Sequence, residues 1–342
     1  MELDKIKEIN SLVTPDVLAN QLGIKLKTLW GLYFLASSDI SDPMVTVKPY
    51  SRLEIKTSSK VREVYSPSDR IRDIQTMLLS VVWSGIDSGE HSAAYEVGMK
   101  LTDAGHKLNN FGLIVGLDFK NFFHSILMKM VVNLLTQYGY PSKTANMIAA
   151  LSCVKDSQRR FLPQGGISSA QIANRVAASI IDPIVINYCR SKVGDEFTYV
   201  RYSDNIYIGL PKEVTGVDFL KGLAEELKNN RWKTHKHRVM PYYRRQKLLG
   251  MVVNEKPNAP RAEYSKFLCA IHNISKCLTK EGVISNIEKM KDLGVSTSSG
   301  KGVLILSIVG KANYYKTILN QSRANKLTQL LDIAKNKIES LI

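Results

Sequence analysis

Residues 197–210 read Phe-Thr-Tyr-Val-Arg-Tyr-Ser-Asp-Asn-Ile-Tyr-Ile-Gly-Leu, two apolar stretches on either side of Asp204. Short apolar runs rich in aromatic and β-branched residues, interrupted by a polar tip, predict a buried β-hairpin. This hairpin constrains the fold more than any other feature, because it commits a mostly helical sequence to a sheet. A lone Asp in a hairpin is commonly a turn former, so Asp204 gains chemical meaning only from what the rest of the chain brings beside it.

The surrounding pattern is largely helical. Thr14-Pro15-Asp16 can open a helix that Gly23 ends, and Leu26 to Leu35 is a second amphipathic segment. From about Met44 to Tyr65 apolar residues alternate, predicting two basic strands around Thr57-Ser58-Ser59-Lys60. Ser66-Pro67-Ser68-Asp69 starts a helix, and Ile114–Leu117 is a short strand running into Asp118. Two helices are expected within 124–152, and a long one over 168–190 broken late by Asp182-Pro183. Leu248–Val253 reads as another strand, and from Arg261 onward the chain reads helical. Strands set among many helices predict the α+β class.

The charge balance narrows the partners. The chain of 342 residues has 47 Lys and Arg against 31 Asp and Glu, a net charge of +16 that favours a polyanion such as nucleic acid. No apolar run approaches the ~20 residues of a membrane span, and the N-terminus lacks the apolar core of a secretory signal. A cytoplasmic location is expected, with no membrane partner. Cys153, Cys189, Cys269 and Cys277 are scattered without a Cys-x-x-Cys pair, so they read as reduced, mostly buried thiols.

Two carboxylates then stand out. Asp118 closes an apolar strand and is followed by Phe122-Phe123, while Asp204 sits at the hairpin tip. Either alone has an ordinary reading, as a helix N-cap or a turn residue. Together, on separate strands, they fit an arrangement in which two divalent ions activate an attacking hydroxyl and stabilise a leaving pyrophosphate. Between them lies Leu162-Pro163-Gln164-Gly165-Gly166, where two glycines let backbone approach a flat ligand.

The ordered set Leu-Asp-Phe-Lys-Asn-Phe-Phe-His-Ser-Ile (117–126), Leu-Pro-Gln-Gly-Gly-Ile-Ser-Ser to Ile-Ala-Asn (162–174) and Tyr-Val-Arg-Tyr-Ser-Asp-Asn (199–205) resembles the reverse transcriptases of bacterial retrons and their phage-defence relatives. Residues 61–67 with Ile74-Gln75, 247–258, 264–273 and 308–315 extend the resemblance over roughly residues 15–335. It implies a right-hand polymerase: an N-terminal helical segment (1–43), fingers (44–115), the first palm motif (116–126), finger and palm helices (127–160), palm with an antiparallel sheet (161–258) and a helical thumb (259–342).

The resemblance also implies roles. Asp118 and Asp204, with the Phe119 carbonyl, would bind two Mg²⁺ ions (Mn²⁺ being the alternative), and Asn205 stands in the catalytic pair. Arg62 would grip the triphosphate, in keeping with Arg at bidentate phosphate contacts. Phe123 would reject a 2′-hydroxyl, Gln164 would contact the nucleotide and Tyr202 the primer terminus; simple core packing is the other reading of Phe123 and Tyr202. Candidate nucleic-acid contacts are Lys60, Arg72, Lys236, Arg244, Arg245 and Lys311. The basic run 231–245 reads equally well as a solvated face. Implied partners are a structured non-coding RNA template, dNTPs, the DNA product and a separate effector protein, with the oligomeric state open.

Three departures bear on this. Asn205 replaces a second Asp and removes one negative charge from the site. Thr102–His106 only approximates a retron element, and Lys247-Leu-Leu-Gly replaces Val-Thr-Gly. A catalytically impaired scaffold that binds RNA or a partner, and template-independent or protein-primed synthesis, are the rival readings. Gly294–Gly302 has the wrong spacing for a phosphate-binding loop.

Overall fold

The computed structural model describes residues 2–56, 61–96, 98–157, 159–296 and 300–342. Lys60 and the turn around it lie outside them. In chain order the elements are α1 (Glu2–Ser11), α2 (Pro15–Gln21), α3 (Leu26–Ser37), β1 (Tyr50–Lys56), β2 (Val61–Pro67), α4 (Asp69–Val81), α5 (Leu101–Leu108), β3 (Leu113–Phe119), α6 (Phe122–Ser125), α7 (Met128–Gln137), α8 (Ser142–Ser152), β4 (Val154–Asp156), β5 (Arg159–Phe161) and α9 (Ser169–Val193). There follow β6 (Thr198–Tyr202), β7 (Asn205–Leu210), α10 (Gly216–Asn229), β8 (Thr234–Pro241), β9 (Lys247–Leu248), β10 (Met251–Val252), α11 (Arg261–Lys276), α12 (Lys280–Glu288), α13 (Lys301–Ile318) and α14 (Gln321–Leu341). The class is α+β, as the sequence predicts.

Contacts divide the chain into two compact units: Met1–Gly98 with Gly116–Ile206 and Thr215–Arg238, and Met99–Val115 with Tyr207–Val214 and Val239–Ile342. In the first, apolar faces of α2, α3, α4, α8 and α9 supply buried Leu18, Leu29, Ile71, Ile148 and Val176. In the second, α14 packs on α11 and α13, burying Phe267, Ile308, Tyr315 and Leu331. One four-stranded sheet runs β6-β7-β3-β8, and its residues 116–119, 198–206 and 234–238 belong to the first unit.

Three expectations need correction. The long helix is not broken at Asp182-Pro183: α9 runs through Pro183 to Val193. An internal proline costs about 3 kcal/mol, and α9 absorbs it because both sides of the proline are held, by buried Ile181 and Val185 and by hydrogen bonds to Asp182. The segment 248–253 is not one strand but the two-residue arms of β9 and β10. Leu249 and Gly250 both take positive φ (50° and 82°), the signature of a tight hairpin turn, and the Tyr314 hydroxyl caps it by donating to the Leu249 carbonyl at 3.0 Å. The first hairpin begins at Tyr50 rather than Met44. Of the cysteines, Cys153 and Cys189 are buried, with burial pushing both thiols up to about 12, whereas Cys269 is exposed. No helix among the described residues is long and apolar enough to cross a membrane.

Candidate functional site

Strand β3 is buried along its whole length, and Asp118, near its end, keeps only 6% of its surface exposed. Its neighbours fix its position. The Phe119 N–H donates to the Asp204 carbonyl and the Lys120 N–H to the Lys233 carbonyl, both at 2.8 Å. Asp118 is thereby set between the tip of the β6–β7 hairpin and the start of β8. Ser203 makes the tip by taking φ 57°, and its hydroxyl accepts from Tyr95 Oη at 3.4 Å. After β3 the chain turns through Asn121 in the left-handed region into α6. That turn buries Phe122 against Phe119, ring centroids 5.7 Å apart, and leaves Phe123 half-buried.

The Pro163–Gly166 loop is laid on β2. The Tyr65 N–H donates to the Gln164 carbonyl at 2.8 Å, and a Cβ on Gly165 (φ 110°) would meet Val64 Cγ1 at 2.7 Å. Buried Gln75 steadies the far side by accepting from the Ile167 N–H at 2.9 Å and donating to Tyr50 Oη at 2.6 Å. The result is a cavity of about 670 Å³ into which Arg62, Asp118, Phe119, Phe123, Gln164, Asp204, His235 and Lys236 all face. Of the expected site residues, Tyr202 is half-buried and does not line the cavity, its phenol pushed up by burial and by Tyr95. Arg72 is exposed on α4 beside Asp69. Arg244 and Arg245 are exposed in the second unit, where Lys311 lies over the rings of Tyr314 and Tyr315 at 5.1 and 5.2 Å; these four do not line the cavity.

Each carboxylate already has one donor from its own chain. Asn205 Nδ2 donates to Asp204 Oδ1 at 2.9 Å. Lys236 Nζ donates to Asp118 Oδ2 at 2.5 Å, and His235 reaches the Asp118 carbonyl with Nδ1 at 3.2 Å. Asp118 Oδ1 is buried without a partner. Desolvation first, and then the charge of Asp118, holds the Asp204 carboxyl above the usual carboxylate range. A raised pKa means that folding favours the neutral acid. Stability from this group is therefore full below the ordinary carboxylate pKa and is lost as pH rises through the raised value. Asp204→Asn should raise the Tm of the EDTA-treated protein at neutral pH, and the gain should vanish in acid; thermal melts across pH check both.

The hairpin is anchored from below by a charge pair that sequence reasoning missed. Arg201 is completely buried. Its Nε and Nη2 fork onto Asp182 Oδ1 and Oδ2 at 2.8 and 3.1 Å, and Nη1 donates to Asn174 Oδ1 at 3.1 Å. Tyr199 Oη adds a 2.8 Å bond to Asp182 Oδ1. Residues 91–93 cover the edge of β6 at Arg201, through Arg201 N–H to the His91 carbonyl and Ala93 N–H to the Arg201 carbonyl. An Arg inside an otherwise apolar strand is the one local signal in the sequence, and it does not point to these partners.

Residues 55–253 match the family described as reverse transcriptase (RNA-dependent DNA polymerase). The chain is 24% identical over 254 residues to the retron Mx65 reverse transcriptase of Myxococcus xanthus, a match covering 68% of this chain and 58% of that protein. It is 23% identical over 301 residues to the retron Mx162 reverse transcriptase of the same organism, covering 78% and 60%. The chain thus spans about three fifths of the length of these curated relatives. Among solved structures, telomerase from Candida albicans in complex with a telomeric RNA fragment aligns with a TM-score of 0.46 at 11% identity, covering 91% of this chain and 67% of that one. Apo telomerase from Candida tropicalis aligns with a TM-score of 0.46 at 9% identity, covering 88% and 64%. With the family match spanning strand β3 with Asp118, the loop that carries Gln164 and the β6–β7 turn that carries Asp204, the chain belongs to the reverse transcriptase family and is similar to its retron-type members.

Proposed function

We propose that this chain is an RNA-directed DNA polymerase that copies a structured non-coding RNA into DNA. One observation carries the reading: the carboxylate of Asp118 on β3 and that of Asp204 in the β6–β7 turn face one cavity together with Arg62, Phe123 and Gln164. The donor set suits Mg²⁺, a hard cation that takes oxygen ligands. A buried acceptor with no partner, as Asp118 Oδ1 is, is costly in a folded protein and fits a site that a cation completes. Asp118, Asp204 and the Phe119 carbonyl would hold the metal, which when bound would activate the primer 3′ hydroxyl and offset charge on the leaving pyrophosphate.

The chain's own residues do the remaining work. Arg62, exposed on β2 at the cavity rim, grips the triphosphate by a fork of N–H donors. Gln164, fixed by its carbonyl to β2, supports the nucleotide. The ring of Phe123 packs where a 2′-hydroxyl would have to go, so deoxynucleotides are preferred. Tyr202 sits near the primer terminus, and Arg72, Arg244, Arg245 and Lys311 supply cationic contacts to nucleic-acid backbone. The finger, palm and thumb divisions named above, a separate effector protein and a role in phage defence or a retron-like element belong to the same reading.

The test is incorporation of labelled dNTPs by the purified chain with its co-purifying RNA and Mg²⁺. An absence of incorporation would favour the impaired scaffold, to which the neutral Asn205 also points. Asn205→Asp restores a charge for the cations and removes the amide that now holds Asp204. It is expected to raise incorporation about tenfold, the equivalent of about 1.4 kcal/mol, while lowering the Tm of the metal-free protein. Primer-extension rates at fixed Mg²⁺, paired with melts in EDTA, measure both.

A further inference from the structure

Strand residues alternate between the two faces of a sheet, so consecutive residues of β8 should not reach the same side chain. His235 and Lys236 do. His235 Nε2 lies 3.8 Å and Lys236 Nζ 2.5 Å from Asp118 Oδ2. The alternation is broken at Lys236 itself, whose φ of 53° puts a non-glycine residue in the left-handed region, at a cost of about 1 kcal/mol. The strand is bent to bring an ammonium onto the one carboxylate that the whole of β3 holds in place.

We infer that Lys236 is a built-in counter-cation that competes with divalent metal for Asp118 and sets the metal concentration at which the site fills. The inference rests on the reading that Asp118 and Asp204 hold metal. Lys236 cancels one of the two carboxylate charges, and Asn205 has already replaced a third. Both effects weaken the pull on a dication. The ammonium can leave: its side chain is 47% exposed, and lysine is a flexible, strongly hydrated point charge rather than a planar fork. Asp118 Oδ1 is buried with no protein donor, so the Lys236 contact on Oδ2 is the one a cation would have to displace. Lys236 is therefore a residue that sets metal occupancy, not one that touches the reacting atoms.

The test measures Mn²⁺ binding to the full chain, free of RNA and nucleotide, by electron paramagnetic resonance titration. Lys236→Met and Lys236→Gln are expected to bind Mn²⁺ about tenfold more tightly than the native chain, and Lys236→Arg to stay within about twofold of it. Asp118→Asn is expected to remove the high-affinity site in every background. Unchanged or weaker binding in both neutral variants, with Asp118→Asn still removing the site, overturns the counter-cation and leaves the metal reading standing. Binding that ignores Asp118→Asn overturns both. Incorporation assays add a separate reading: the Mg²⁺ concentration at half-maximal rate should fall in Lys236→Met by the same factor as the Mn²⁺ dissociation constant.

Discussion

Asp118→Asn is expected to lower RNA-templated incorporation by about 10³-fold or more while leaving the protein folded. The two atoms sets are nearly identical in shape, so packing against β3 survives. The charge does not. Metal-assisted stabilisation of a phosphoryl-transfer transition state contributes several kcal/mol, and each 1.36 kcal/mol is a factor of ten in rate; losing about 4 kcal/mol gives the stated drop. Stability should move the other way or not at all, because a buried carboxylate is replaced by a neutral amide. Single-turnover incorporation and a thermal melt on the same preparation separate the effects. Incorporation within about tenfold of the native rate would remove Asp118 from the chemistry and with it the polymerase reading.

Arg201→Met is expected to be the most destabilising single change. It leaves the Asp182 carboxylate, only 5% exposed, with Tyr199 Oη as its remaining side-chain donor. Breaking a buried pair by removing one partner costs about 3–5 kcal/mol, while replacing both partners by apolar groups of similar size is often neutral. For a chain of 342 residues the loss lowers Tm by about 4–7 °C. Adding Asp182→Leu should recover most of the loss, since the stranded charge goes too. Differential scanning calorimetry of the single and double variants decides it, and a single variant that melts with the native chain would contradict the assigned pairing.

What could be read from the sequence follows from range. The β6–β7 hairpin, β3 and the helices of the first unit announce themselves through local periodicity, and the three motifs carry Asp118, Gln164 and Asp204 in order. Strand β8 does not, because Thr-His-Lys-His-Arg-Val has no apolar alternation: four of its residues are exposed in a row, so the run reads equally well as a solvated basic face or as nucleic-acid contacts. Lys236, a candidate nucleic-acid contact, also donates to Asp118, a contact that leaves no local trace in the sequence. The pairing of Arg201 with Asp182, 19 residues apart, leaves no periodic trace at all. Pro183 misled in the opposite direction, since local propensity marks a break that tertiary contacts overrule.

Helix α9 begins three residues after the Gly165-Gly166 pair and runs without interruption past Asn174 and Asp182, the two side chains that grip Arg201. An α-helix advances about 1.5 Å and turns about 100° with each residue. Losing or gaining one residue between those positions would swing one of the two partners away from the guanidinium, however conservative the change in composition. The helix is thus a gauge of fixed length: it sets how far the loop bearing Gln164 stands from the tip bearing Asp204. A surface turn can lengthen or shorten without touching this grip, but a change in the count of residues from 174 to 182 breaks it.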